Sequence, residues 1–215
     1  MNLFLLYKDI PDCVAALADK HVVKMILETA QILYSVWHTR SPLPKDKTLE
    51  DLPAYRKTHV NHPVCVWARH NVYHYEWTCM YGLVLCKEYT HRYGKIHKTQ
   101  YHLERLYNWG FPPKVLPDPE IKKKSKVWVR ATEGIPAHFD YFPLCMDEDS
   151  YVRDAQGYNA VLSYQKYYRS KQEKIDMRWK NTEKPIFLMW NINFYCPFYF
   201  TGVDFDNDSY NLDHL

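Results

Sequence analysis

Apolar positions along residues 13–39, "CVAALADKHVVKMILETAQILYSVWHT", recur at helical spacing with no proline or glycine between them, and predict one long helix. At about 100° per residue, His21, Lys24, Glu28, Gln31 and Ser35 share a polar stripe of roughly 80°. Val22, Val23, Met25, Ile26, Leu27, Ile32 and Leu33 occupy most of the remaining circumference. A helix that is apolar nearly all round belongs in the middle of a fold, so the stripe faces either a strip of solvent or a cleft. Ahead of it, "NLFLLY" reads as a short buried strand or extended segment, and "KDIPD" as a turn in which Asp12 caps the helix.

Residues 40–53 are rich in proline and charge and have no period of their own, the mark of a surface connection. A second long helix follows, with Asn61 or His62 as its cap, Pro63 in its first turn and Gly94 as its carboxy-terminal cap. A shorter helix is expected over 98–112. The stretch 112–126 is a further connection ending in "KKKSK", and an irregular aromatic-rich crossing leads to another helix within 154–180. The apolar "KPIFLMWNINFYCPFYF" is expected to pack on the body, and the acidic tail 203–215 to fray. The fold expected is mainly α: one compact helical domain over residues 1–215, with a short amino-terminal extended segment or strand.

Composition narrows this reading. Nineteen Tyr, seven Trp and nine Phe against six Gly favour a stiff, tightly packed chain, with flat ring faces that either fill the core or stack on bases. The formal charge of +3 permits a polyanionic partner without requiring one. Six cysteines without a CxxC pair fit free thiols in a reducing compartment, and the amino terminus reads as neither a membrane span nor a secretion signal. A cytoplasmic protein with no membrane partner is expected, in a host cell if the chain is viral.

The polar stripe carries the candidate chemistry. An imidazole, a primary amine and a carboxylate at His21, Lys24 and Glu28 supply an acid–base pair and a nucleophile; the bland reading is a solvated strip with a Lys24–Glu28 ion pair. From the second helix, Arg69 is the preferred phosphate or sugar contact, and His62 sits at a helix amino terminus where an anion can bind. Lys95, His97 and Lys98 follow Gly94 and can present cations to phosphate, and Tyr168, Arg169 and Lys171 from the last helix are further candidate nucleic-acid contacts. His59 with His62, and His70 with His74, have chelating spacings, which makes zinc the chemical competitor. No HExxH and no evident third ligand accompany them, so no metal or other cofactor is expected.

The blocks "DKHVVKMILETAQIL", "KTHVNHPVCVWAR" and "CKEYTHRYGKIHK" resemble a family of small phage and large-DNA-virus proteins that brings no function with it. "ADKH" at 18–21, with Glu28 seven residues after the histidine, also resembles the phage-type pyrimidine-dimer DNA glycosylases, small all-α enzymes in which a catalytic glutamate stands at that spacing on the first long helix. That resemblance implies N-glycosidic cleavage of a damaged or modified base in DNA, with an amine attacking the sugar and lyase activity following. In that family the amine is the chain's own terminus after removal of Met. Asn2 is bulkier than the residues that usually permit this, leaving the Met1 amine or Lys24 as nucleophile. A base- or nucleotide-modifying enzyme and a non-catalytic viral interaction protein are the alternatives. Oligomeric state is not legible.

Overall fold

The computed structural model describes residues 1–117 and 129–189, and the protein there is mainly helical. "KKKSK" at 122–126, most of the apolar tail, Cys196 and the acidic tail 203–215 lie outside the described residues. The helices are α1 (Ile10–Ala15), α2 (Asp19–Arg40), α3 (Thr48–Asp51), α4 (Pro63–Ala68), α5 (Val72–Tyr93), α6 (Gln100–Trp109) and α7 (Ala160–Ser170). Two small antiparallel pairs accompany them: β1 (Val129–Ala131) with β2 (Phe142–Leu144), and β3 (Arg153–Asp154) with β4 (Gly157–Tyr158). Among the described residues no helix is long and apolar enough to cross a membrane.

The centre of the fold is the antiparallel pair α2 and α5. Arg92 meets Asp19 at one end, and the Trp37 indole donates to the Tyr75 hydroxyl at 3.0 Å toward the other. Their close approach depends on Gly82. A Cβ there would lie 3.0 Å from the Thr29 methyl and 2.8 Å from a Leu103 methyl, so α6 closes over the same crossing. Gly94 ends α5 in the left-handed conformation, φ 64°, as its position predicts.

The expected helix over 13–39 is two helices broken at residues 16–18, where neither proline nor glycine stands. Tertiary groups take the backbone bonds instead. Arg92 donates to the carbonyls of Ala15 and Leu17 at 2.9 and 2.8 Å, and the Tyr168 hydroxyl accepts from the Ala18 N–H at 2.8 Å. The cap position of α1 is Asp9, with Asp12 in the first turn, so the cap assigned to Asp12 is corrected.

The second long helix is likewise two. His62 caps α4, its Nδ1 accepting from the Val64 N–H at 3.3 Å; Asn71 then caps α5, accepting from the His74 N–H at 2.9 Å. The connection at 40–53 contains the short α3, and the last helix is confined to 160–170, capped by Asn159 and preceded by the β3–β4 hairpin.

"NLFLLY" is buried from Asn2 to Leu6, with Tyr7 half-buried, and forms no strand, bending at Leu6 and Tyr7. Its backbone is satisfied by side chains: the Cys13 thiol donates to the Phe4 carbonyl and accepts from the Leu6 N–H, and Gln165 donates to the Leu6 carbonyl. This segment threads between α2 and α7, which carries residues 1–4 to the face of α2 that holds Glu28.

Candidate active site

Although α2 is apolar around most of its circumference, it is not buried all round. Val23 and Leu27 are exposed, at 38% and 39%, beside exposed Lys20 and Lys24. The expectation that both face the core is corrected. The helix has a wet face through 20, 23, 24 and 27, and immediately beside it a face through Lys24, Glu28, His21 and Met25 that lines a cleft of about 170 Å³. The opposite wall comes from Met1, Asn2 and Phe4, with Cys145, Tyr167 and Lys171 closing the remainder.

Glu28 is the hub. Its Oε2 lies 3.7 Å from the Met1 α-amine and accepts from the Asn2 N–H at 3.1 Å, while its Oε1 lies 3.3 Å from Lys24 Nζ. The Glu28 side chain is 13% exposed and faces two amines: that of Met1, a half-buried residue whose side chain is buried, and that of Lys24, whose side chain is 67% exposed. Lys24 therefore does stand beside Glu28, though as a solvated cation and not as a buried one.

Asn2 fixes this geometry. Its Oδ1 accepts from the Leu3 N–H at 2.8 Å and from the Tyr164 hydroxyl at 3.0 Å, and its Nδ2 donates to the Cys145 carbonyl at 3.1 Å. The Met1 thioether packs against the Cys65 thiol, sulfur to sulfur 3.6 Å. With its side chain and its neighbour both anchored, the Met1 amine is held against Glu28 and not left to swing in solvent.

His21 sits one wall further along, 8% exposed, with Nδ1 2.7 Å from the Tyr168 hydroxyl and its ring against Phe4. Burial, reinforced by the positive charges of Lys171 and Lys24, pushes its pKa down to about 4, so the imidazole is neutral at pH 7. Lys171 Nζ lies 4.4 Å over the Tyr167 ring, which stacks on Phe4 with the ring planes 16° apart.

Among the sequence candidates, the fold brings His21, Lys24, Glu28 and Lys171 to the cleft, with Tyr168 directly behind it. His62 stands at its edge: burial, with help from the terminal amine, pushes its pKa down to about 4, and its Nδ1 is occupied by the cap of α4. Gln31, a turn beyond Glu28, does not line the cleft, and neither does Arg69, which is 8% exposed and donates to the Val60 carbonyl. Arg169 donates to the Phe187 carbonyl at 2.6 Å. Lys95, His97 and Lys98 lie past the end of α5; the two lysines are exposed, and His97 Nδ1 accepts from the Thr99 N–H. Among the described residues, no three His, Cys, Asp or Glu side chains converge as a metal requires.

Asn2, Phe4, Met25, Cys145 and Tyr167 are site residues that the pattern did not single out. A polar residue at the head of an apolar segment was the available signal for Asn2, and adjacency to Tyr168 for Tyr167. Nothing in the sequence pointed to Cys145.

No curated protein and no solved structure matches the chain. Residues 1–101 match the model of one family, described as pyrimidine dimer DNA glycosylase. That segment contributes Met1, Asn2, Phe4, His21, Lys24, Met25 and Glu28 to the cleft, whereas Cys145, Tyr167 and Lys171 come from outside it. The amino-terminal part of the chain, carrying the carboxylate and both amines, is thus similar to the pyrimidine dimer DNA glycosylases.

Proposed function

We propose that the protein is a DNA glycosylase that releases a damaged pyrimidine base from DNA and forms an imine with the sugar left behind. The observation that carries this reading is Glu28 held between two amines in an open cleft. The similarity of residues 1–101 to the pyrimidine dimer DNA glycosylases supports the choice of substrate.

Of the two amines, Met1 Nα is the better nucleophile. An α-amine ordinarily titrates near pH 8 and a lysine amine near pH 10, so at neutral pH a far larger fraction of α-amine is unprotonated. Position agrees, because the buried Met1 side chain and the anchored Asn2 hold the amine against Glu28, whereas the Lys24 side chain is mostly in water. In the reaction, the Met1 nitrogen bonds to sugar C1′ as the bond from C1′ to the base breaks, and the electron pair leaves with the base. The alkylated nitrogen loses a proton to Glu28, and the departing base takes one from water. The nitrogen lone pair then forms the imine as C1′–O4′ opens, with O4′ taking a proton from Glu28. As a carboxylate again, Glu28 can remove a C2′ proton and expel the 3′-phosphate, which is the lyase step.

Lys24 and Lys171, which both line the cleft, hold the phosphates flanking the sugar. The test is borohydride reduction in the presence of duplex DNA carrying a single pyrimidine dimer. A covalent protein–DNA adduct that Glu28→Gln abolishes is the expected result. No adduct and no cleaved glycosidic bond from wild-type protein, on dimers or on other lesions, overturns the proposal.

A further inference from the structure

We infer that Tyr168 is a positioning residue of this cleft: its hydroxyl holds His21 as the tautomer with hydrogen on Nε2, which donates a hydrogen bond to the departing pyrimidine. The inference rests on the glycosylase reading for the identity of the acceptor, and on geometry alone for the tautomer.

The Tyr168 side chain is fully buried. Its hydroxyl accepts from the Ala18 N–H at 2.8 Å and lies 2.7 Å from His21 Nδ1, with no other polar partner among the described residues. If Nδ1 carried the hydrogen, the hydroxyl would accept twice and its own hydrogen would be buried with nothing to receive it. Donation from the hydroxyl to a bare Nδ1 satisfies every group. A neutral imidazole has one hydrogen, which then belongs to Nε2. Burial and the two neighbouring lysines keep the ring neutral. Nε2 has no protein acceptor among the described residues, and His21 lines the cleft.

A fixed N–H in that position suits a pyrimidine carbonyl oxygen, onto which charge moves as the bond to C1′ breaks; only a hydrogen bond forms, and His21 keeps its proton. The ring is clamped between Phe4 and Tyr168, each with its centroid 5.1 Å from that of His21. Tyr168 belongs to α7, outside the residues that resemble the glycosylase family, so the carboxy-terminal part of this chain completes the site.

The test is nitrogen NMR of the full chain labelled with ¹⁵N-histidine, in wild type and Tyr168→Phe, which keeps the ring and removes the hydroxyl. In wild type, His21 should show a bare Nδ1 and a protonated Nε2 at pH 7; in the variant, the Nδ1 resonance should move to that of a nitrogen that accepts no hydrogen bond. A wild-type spectrum with hydrogen on Nδ1, or a variant with the wild-type spectrum, overturns the inference whatever the protein does to DNA. If the variant does not fold, the wild-type spectrum decides alone.

On DNA, Tyr168→Phe should slow base release about tenfold or more, and slow borohydride trapping at a ready-made abasic site by a smaller factor, since no base departs there. Equal slowing of both overturns the role toward the base. Wild-type protein that cleaves no glycosidic bond overturns the glycosylase reading and that role with it, while the spectrum still decides the tautomer.

Discussion

Two charge clusters flank α2, built from the same kinds of residue and put to opposite use. At its amino end Arg92 donates to Asp19, Glu88 and the carbonyls of Ala15 and Leu17, all at 2.7–2.9 Å, with its side chain fully buried. Two turns later Glu28 meets two amines at 3.3 and 3.7 Å at the edge of a cleft. The first cluster spends nearly all its hydrogen-bonding capacity on protein and has none left for a substrate. The second is loose, asymmetric and reachable. What separates structural from reactive charge here is satisfaction and access, because residue types alone would not distinguish Asp19–Arg92 from Glu28–Lys24.

The contrast predicts where each cluster breaks. Arg92→Ala strands two carboxylates and two carbonyls at the start of α2, and should cost about 3–5 kcal/mol in urea unfolding. Glu28→Gln keeps an acceptor for the Asn2 N–H. Its unfolding free energy should move by less than about 1 kcal/mol, while base release falls by about a hundred- to ten-thousand-fold. A Glu28→Gln protein as unstable as Arg92→Ala would make the two clusters alike.

Acid should weaken the fold through a third set of groups. Burial pushes the pKa values of His21, His62 and His102 down to about 4 from the ordinary 6.5. Between those values the unfolded chain binds protons that the folded chain refuses. Stability is therefore full above pH 6.5 and is lost as pH falls toward 4, by at most about 1.4 kcal/mol per pH unit for each histidine. Thermal melts from pH 8 to pH 4.5 would show it, and a melting temperature that does not fall below pH 6.5 would contradict it.

The smallest effects belong to the exposed amine. Lys24→Ala should leave stability within about 0.5 kcal/mol, as for other exposed i,i+4 pairs. It should weaken DNA binding a few-fold, with a salt dependence shallower by about one phosphate contact. A loss of base release as large as that of Glu28→Gln would move the nucleophile from Met1 to Lys24.

The central helix and the spacing of His21 to Glu28 were legible because a 3.6-residue period and a short motif are local properties. The breaks at 16–18 and 69–71 were harder, for different reasons. Asn71 was a readable cap in the middle of an otherwise continuous pattern. The gap before Asp19 is imposed by Arg92 and Tyr168, which are distant in sequence, and no glycine or proline marks it. The same distance hid the second wall of the cleft. Cys145 and Tyr167 reach Glu28's neighbourhood only through packing of α7 and β2 on the amino-terminal segment, and Val23 and Leu27 are exposed because nothing among the described residues covers that flank.

Peptide mapping of the borohydride-reduced adduct on dimer-containing DNA tests most directly whether Glu28 and a fixed terminal amine form the reactive pair. The modified residue should be Met1, on the peptide that also contains Asn2 and Phe4, and Lys24→Ala should leave it there. An adduct on Lys24, or none from wild-type protein, would contradict it.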